Sequence, residues 1–130
     1  MLGEFPVASL GKVRVSHILK KSNQSRRPAS WRNPNITQSV EEARRQIEDI
    51  RQTLVNTLNT EGEEAMINLF AKIASQESDC SSAQKGGDLD YFGKGQMQKP
   101  FEDKSFSLAV GELSDITETD SGIHIILRTA

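Results

Sequence analysis

Cysteine is almost missing from this 130-residue chain. Cys80 stands alone, so no intramolecular disulfide can form. A metal centre is equally hard to assemble, because one cysteine, two histidines and scattered carboxylates show no recognised ligand spacing; no metal is expected. No apolar run approaches the roughly 18 residues of a membrane span, and the N-terminus lacks the basic-then-apolar layout of a signal peptide. The expectation is an intracellular protein, cytoplasmic or nuclear or both, without a membrane partner. Aromatic residues make up only 5% of the chain, and Trp31 is its single tryptophan.

Acid is missing from one region. Residues 1–40 carry seven basic residues against Glu4 alone, whereas residues 41–130 carry nine against seventeen acids, and the chain ends at a net charge of -2. Within "HILKKSNQSRRPASWRNP", residues 17–34, Lys20, Lys21, Arg26, Arg27 and Arg32 have no acidic neighbour in sequence. A nucleic-acid surface calls for broad positive charge and several exposed aromatics. Here the charge is local and Trp31 is the only aromatic within it, so no nucleic-acid partner is expected. Lys21 with Arg26 and Arg27 suits one doubly charged group, since guanidinium forks bind phosphate bidentately.

A chain of this length supports one domain with an ordinary core. Residues 12–19, "KVRVSHIL", alternate over β-branched residues and read as a strand. Lys20 to Gln38 has no periodicity and reads as a loop of nearly twenty residues, a length usually tied to function or disorder. Ser39 followed by Glu42 forms a capping box, and Val40, Ala43, Ile47, Ile50, Leu54 and Leu58 repeat at steps of three and four, which predicts a long amphipathic helix. Thr60 and Glu63 suggest a second capping box before a second helix. Turn chemistry at 78–88, with one helical turn begun by a serine cap, leads to a short strand at 88–92. A helix then starts at Pro100 and runs to about Leu108. "ELSDITET" and "GIHIILR" read as two strands joined by a tight turn at Asp120, Ser121 and Gly122. Strands at both ends with helices between them predict an α+β domain whose terminal strands pair centrally.

Cys80, His17 and His124 carry the only side chains that titrate near neutrality. A cysteine–histidine hydrolase needs a stabilised thiolate, and Asp79 beside Cys80 opposes one. Two histidines among apolar strand residues fit a structural role at least as well as a catalytic one. Leu89, Met97 and Phe101 fit core packing or the walls of a shallow pocket for a small ring.

"VRVSHILKKSNQSRRPASWR", "ASQESDCSSAQKGGDLDYFGKGQMQKPFEDKSF" and "TDSGIHIILRT" together resemble the parvulin peptidyl-prolyl cis/trans isomerases, and more narrowly their Pin-type subgroup, which acts on phosphoserine-proline and phosphothreonine-proline bonds. The resemblance runs from about Lys12 to Thr129. It implies the FKBP-like parvulin fold, a four-stranded antiparallel sheet surrounded by four helices, over residues 12–130 behind a short extension at 1–11. The family's paired histidines fall on His17 and His124 and its active-site cysteine on Cys80. Its hydroxyls fall on Ser121 and Thr119. The resemblance places a proline pocket at Leu89, Met97, Gln98 and Phe101, and a phosphate cluster at Lys21, Arg26 and Arg27.

The implied activity needs no cofactor, and its partners are phosphorylated Ser/Thr-Pro proteins met by a monomer. Only about eleven residues precede the first strand and Trp31 lies in the loop, so the WW module that often accompanies the subgroup is not expected. Glu77 stands beside "SDCSS" where the resemblance leads one to expect an apolar residue. Two other readings stay open, a phosphopeptide-binding module without turnover and an isomerase indifferent to phosphate.

Overall fold

The structure, a computed structural model, describes residues 11–130. The expected extension at 1–11 therefore lies outside the described residues apart from Gly11. Elements follow in the order β1 (Lys12–Lys20), α1 (Val40–Glu61), α2 (Glu63–Glu77), a 3-10 helix (Ser81–Lys85), β2 (Asp88–Gly93), α3 (Lys99–Ser107), β3 (Thr117–Thr119) and β4 (Gly122–Arg128). The strands form one antiparallel sheet in the order β2-β1-β4-β3, with the terminal strands central as expected.

The period of two in β1 and β4 divides the core. Ile18, Ile123, Ile125 and Leu127 face α1 and α2, where they meet Ala43, Ile47, Ile50, Leu54, Met66, Phe70 and Ala74. Val13, Val15 and Ile126 face the other way, toward Phe92, Phe101 and Leu108. The second face continues into His17, Leu19 and His124, so the histidines are on the side of α3.

Ser39 caps α1, its hydroxyl accepting the Glu42 N–H at 3.1 Å, and the predicted stripe is the buried one. Only half of the box forms, because the Glu42 carboxylate pairs with Arg45. The second capping box does not form at all. Thr60 still belongs to the last turn of α1, and its hydroxyl donates to the Asn56 carbonyl at 2.9 Å. Gly62, at φ 99°, makes the hinge between α1 and α2 in a conformation open to glycine and costly for other residues. Among the described residues there are three α-helices, and the fourth expected helix is the 3-10 turn. No serine caps it: Cys80 is its N-cap without a side-chain bond, and the Ser78 hydroxyl instead accepts the Leu19 N–H at 3.0 Å.

"ELSDITET" is a strand only at Thr117–Thr119. Upstream, Ser114 interrupts the ladder by substituting its hydroxyl for a backbone acceptor of the Ile126 N–H at 2.9 Å. Leu113 keeps one isolated bridge to Leu127. The charged Glu77 is also accounted for. It lies 3.8 Å from the ammonium of Lys20, whose side chain is 7% exposed.

Candidate active site

Across the β1–β4 ladder Leu19 faces His124 and His17 faces Ile126. The two histidines are thus diagonal neighbours on one face. Their rings stack at 5.2 Å with Nδ1 to Nδ1 at 3.0 Å, and Phe101 sets its ring edge-on to both at 5.3 and 5.1 Å. His124 Nε2 lies 2.7 Å from Thr119 Oγ1, which also accepts the Ser121 N–H at 3.1 Å. Two proton arrangements satisfy these contacts. Either Thr119 donates to His124 Nε2 and His124 Nδ1 donates to His17 Nδ1, or both bonds run the other way; in each case His17 Nε2 has no protein partner among the described residues. Both rings must be neutral for this. Burial pushes His17 down to about 4, and burial followed by the neighbouring His17 pushes His124 well below its ordinary value.

His17, Cys80, Leu89, Met97, Gln98, Phe101, Ser121 and His124 line one cavity of about 170 Å³. An apolar cavity of about 150 Å³ already admits a six-membered ring, so this one has room for a small ring. Phe101 belongs equally to the core, at 4% exposure, which fixes the pocket floor. Cys80 is half-buried, and among the described residues its thiol has no hydrogen-bond partner. Among the described residues neither histidine is hydrogen-bonded to this thiol, so no base is poised on its proton. Of the two expected hydroxyls, only Thr119 touches a histidine. Ser121 Oγ accepts from Gln98 Nε2 at 2.8 Å, and Gln98 Oε1 accepts the Asp120 N–H at 3.1 Å, tying the start of α3 to the β3–β4 turn.

The basic loop has no regular secondary structure, yet it is cross-linked along its length. The Asn23 N–H donates to Gln38, Ile36 to Pro28, and Arg26 to the Asp120 carbonyl at 2.8 Å. The last bond joins the loop to the turn that carries Ser121. Lys21 Nζ donates to the Ala29 carbonyl at 2.8 Å, and its pKa is lowered by burial and then by Arg27. The guanidiniums of Arg26 and Arg27 are exposed, and among the described residues no acid pairs with them. Arg26 also lines a second depression that shares Gln98 with the ring-sized cavity.

Residues 7–129 match the PPIC-type PPIase domain. The chain belongs to the PPIC-type peptidyl-prolyl cis-trans isomerase family. Peptidyl-prolyl cis-trans isomerase pin1 of Rhizopus delemar is 50% identical over 93% of this chain and 75% of its own length. Peptidyl-prolyl cis-trans isomerase Pin1 of Arabidopsis thaliana is 47% identical over 95% of this chain and its whole own length. Among solved structures, peptidyl-prolyl isomerase ESS1 from Candida albicans superposes with a TM-score of 0.78 at 46% identity, covering 94% of this chain and 64% of that one.

Two kinds of residue in this isomerase are not visible in its sequence pattern. Gly87, at φ +90°, lets β2 approach β1 so closely that a Cβ would stand 2.5 Å from the His17 carbonyl. Gly122 does the same for the β3–β4 turn, where a Cβ would lie 2.6 Å from the Lys20 carbonyl. Both appear in sequence only as turn glycines. Ser78 and Asp79 are the other kind: they hold the basic loop, and nothing in their spacing shows it.

Proposed function

We propose that this isomerase acts on phosphoserine-proline and phosphothreonine-proline bonds by non-covalent stabilisation of the twisted amide. The observation that carries the reading is a ring-sized apolar cavity bonded, through Arg26 N–H to the Asp120 carbonyl, to a loop whose Arg26 and Arg27 have no internal counterion among the described residues. Leu89, Met97 and Phe101 receive the proline ring, and Lys21, Arg26 and Arg27 receive the phosphate before it. Rotation about a prolyl bond faces roughly 18–20 kcal/mol of lost amide resonance, and an enzyme lowers it by binding the twisted state better than either planar one. With both ends held, rotation is confined to one bond. Cys80 serves as a polar neighbour of the rotating carbonyl, and the histidine pair with Thr119 shapes the floor beneath it.

Exchange NMR on a phosphothreonine-proline peptide and its unphosphorylated twin tests the reading. Cis/trans cross-peaks appear with catalytic amounts of protein for the phosphorylated peptide and are much weaker for the twin. Arg26→Ala with Arg27→Ala removes that difference. Equal exchange in both peptides would refute the phosphate clamp, and line broadening without exchange would reduce the site to a binding module.

A further inference from the structure

Asp79 is a buried carboxylate, 6% exposed, that the isomerisation chemistry does not use. All its contacts run to the basic loop and the end of β1. Oδ2 accepts the Lys21 backbone N–H at 2.9 Å, Oδ1 accepts from the Ser30 hydroxyl at 2.9 Å, and Arg32 stands at 3.9 Å. Its own N–H donates to the Leu19 carbonyl at 2.7 Å. The preceding residue works alongside it: the Ser78 carbonyl accepts the Trp31 indole N–H at 2.8 Å. The following residue is Cys80, in the wall of the ring cavity.

We propose that Asp79 is the positioning residue of the phosphate clamp, fixing the Lys21–Arg32 segment relative to Cys80 and thereby setting the preference for phosphorylated substrates. This rests on the phosphate reading of the loop. Two effects of the carboxylate oppose each other. As a negative charge close to Lys21, it weakens the attraction of the loop for an anion. As an acceptor of two hydrogen bonds from the loop, it gives the clamp one geometry before the substrate arrives, and less ordering is left to the moment of binding. Bidentate and charge-assisted contacts to phosphate depend steeply on geometry, whereas the charge of Asp79 is already partly balanced by Arg32 at 3.9 Å. Positioning therefore outweighs repulsion. Asparagine at this position would keep the size, remove the charge and turn an N–H₂ toward groups that are themselves donors.

The two effects give Asp79→Asn opposite signs, so one variant separates them. Turnover is measured on a phosphothreonine-proline peptide and on its unphosphorylated twin, and native-state hydrogen exchange is followed at the Lys21 amide and the Trp31 indole. Asp79→Asn is expected to lower kcat/KM for the phosphorylated peptide by about tenfold or more, chiefly through KM, the factor that loss of a charged hydrogen bond brings. Turnover of the twin changes far less. Lys21 and Trp31 exchange faster while the Ile125 amide in the sheet does not, and Ser30→Ala shows the same pattern more weakly. Tighter or unchanged handling of the phosphorylated peptide would overturn the proposal in favour of simple charge repulsion. Equal losses on both peptides, with faster exchange at Ile125, would overturn it in favour of general destabilisation. If the unaltered protein shows no phosphate preference, the phosphate reading has failed, and unchanged exchange at Lys21 and Trp31 would remove Asp79 as the loop's anchor as well.

Discussion

His17 and His124 meet Nδ1 to Nδ1 at 3.0 Å inside the sheet face that forms the pocket floor, and the contact exists only while both rings are uncharged or share a single proton. An unfolded imidazole titrates near 6.5, whereas burial holds folded His17 down to about 4 and His124 well below its ordinary value. Between those values the unfolded chain binds more protons than the folded one, so stability rises with pH there. The stability is complete above about 6.5 and is lost as pH falls toward 4, by roughly 3 kcal/mol for His17 alone. Urea midpoints measured from pH 7 to pH 4 should show this slope. The chain has only two histidines, so His17→Leu with His124→Leu should flatten it. An equal slope in the double variant would show that the imidazoles are not its origin.

Crowding behind the same histidine predicts a large effect from a small substitution. Gly87→Ala forces a Cβ to 2.5 Å from the His17 carbonyl at a φ of +90°. Gly95, at φ +88°, has nothing among the described residues within 4 Å of where its Cβ would stand. Both substitutions carry the backbone strain, about 1–2 kcal/mol, but only Gly87→Ala adds displacement of β1. Gly87→Ala should therefore cost at least about 1 kcal/mol more than Gly95→Ala in urea unfolding, and it should shift the ring signals of His17 and His124. Equal costs would mean that β2 moves aside freely.

Much of the fold is legible in the sequence, and the departures have local causes. The α1 stripe and the strand alternation are statements about which face meets apolar surface, and spacing encodes that directly. Thr60 and Glu63 match a capping box as letters. A glycine at 62 lets α1 run on through Thr60, and the hydroxyl finds the Asn56 carbonyl instead. The strand in "ELSDITET" is cut short because Ser114 replaces a ladder acceptor with its side chain, a choice that propensity does not distinguish. Asp79 shows the limit most clearly. Beside Cys80 in sequence it reads as an anion that disfavours a thiolate; in space both its oxygens serve the loop. The ring cavity is legible because the family resemblance places its residues. The divided roles of Thr119 and Ser121 are not, because they depend on Gln98 reaching across from α3.

Cys80 without a hydrogen-bonded base predicts tolerance of its loss. Removal of a covalent nucleophile costs on the order of 10⁶-fold in kcat. A polar neighbour of a rotating carbonyl contributes far less, so Cys80→Ser should keep turnover within about a hundredfold, the range of a single transition-state hydrogen-bond donor. Intact-protein mass spectra recorded during turnover should show no substrate adduct. An adduct that disappears in Cys80→Ser would establish covalent chemistry and sink the non-covalent rotation mechanism.

The pair of Lys20 and Glu77 predicts a coupling that the apolar pattern of the neighbouring elements would not. Lys20 is buried at the end of β1, Glu77 is half-exposed at the end of α2, and Lys20's pKa is lowered by burial first and Arg32 second. Glu77→Leu alone removes the carboxylate paired with that ammonium and leaves it between Arg32, which opposes it, and the charge of Asp79. A full buried pair broken in this way costs about 3–5 kcal/mol, and solvent around Glu77 reduces the figure to about 1–2 kcal/mol. Lys20→Met with Glu77→Leu replaces the pair by apolar surface between the same elements and should return stability to the starting value or above it. The double-mutant cycle in urea should therefore give a coupling of about 1 kcal/mol or more. Additive single effects would mean that the two side chains are neighbours without being partners, and that Glu77 reaches water rather than Lys20.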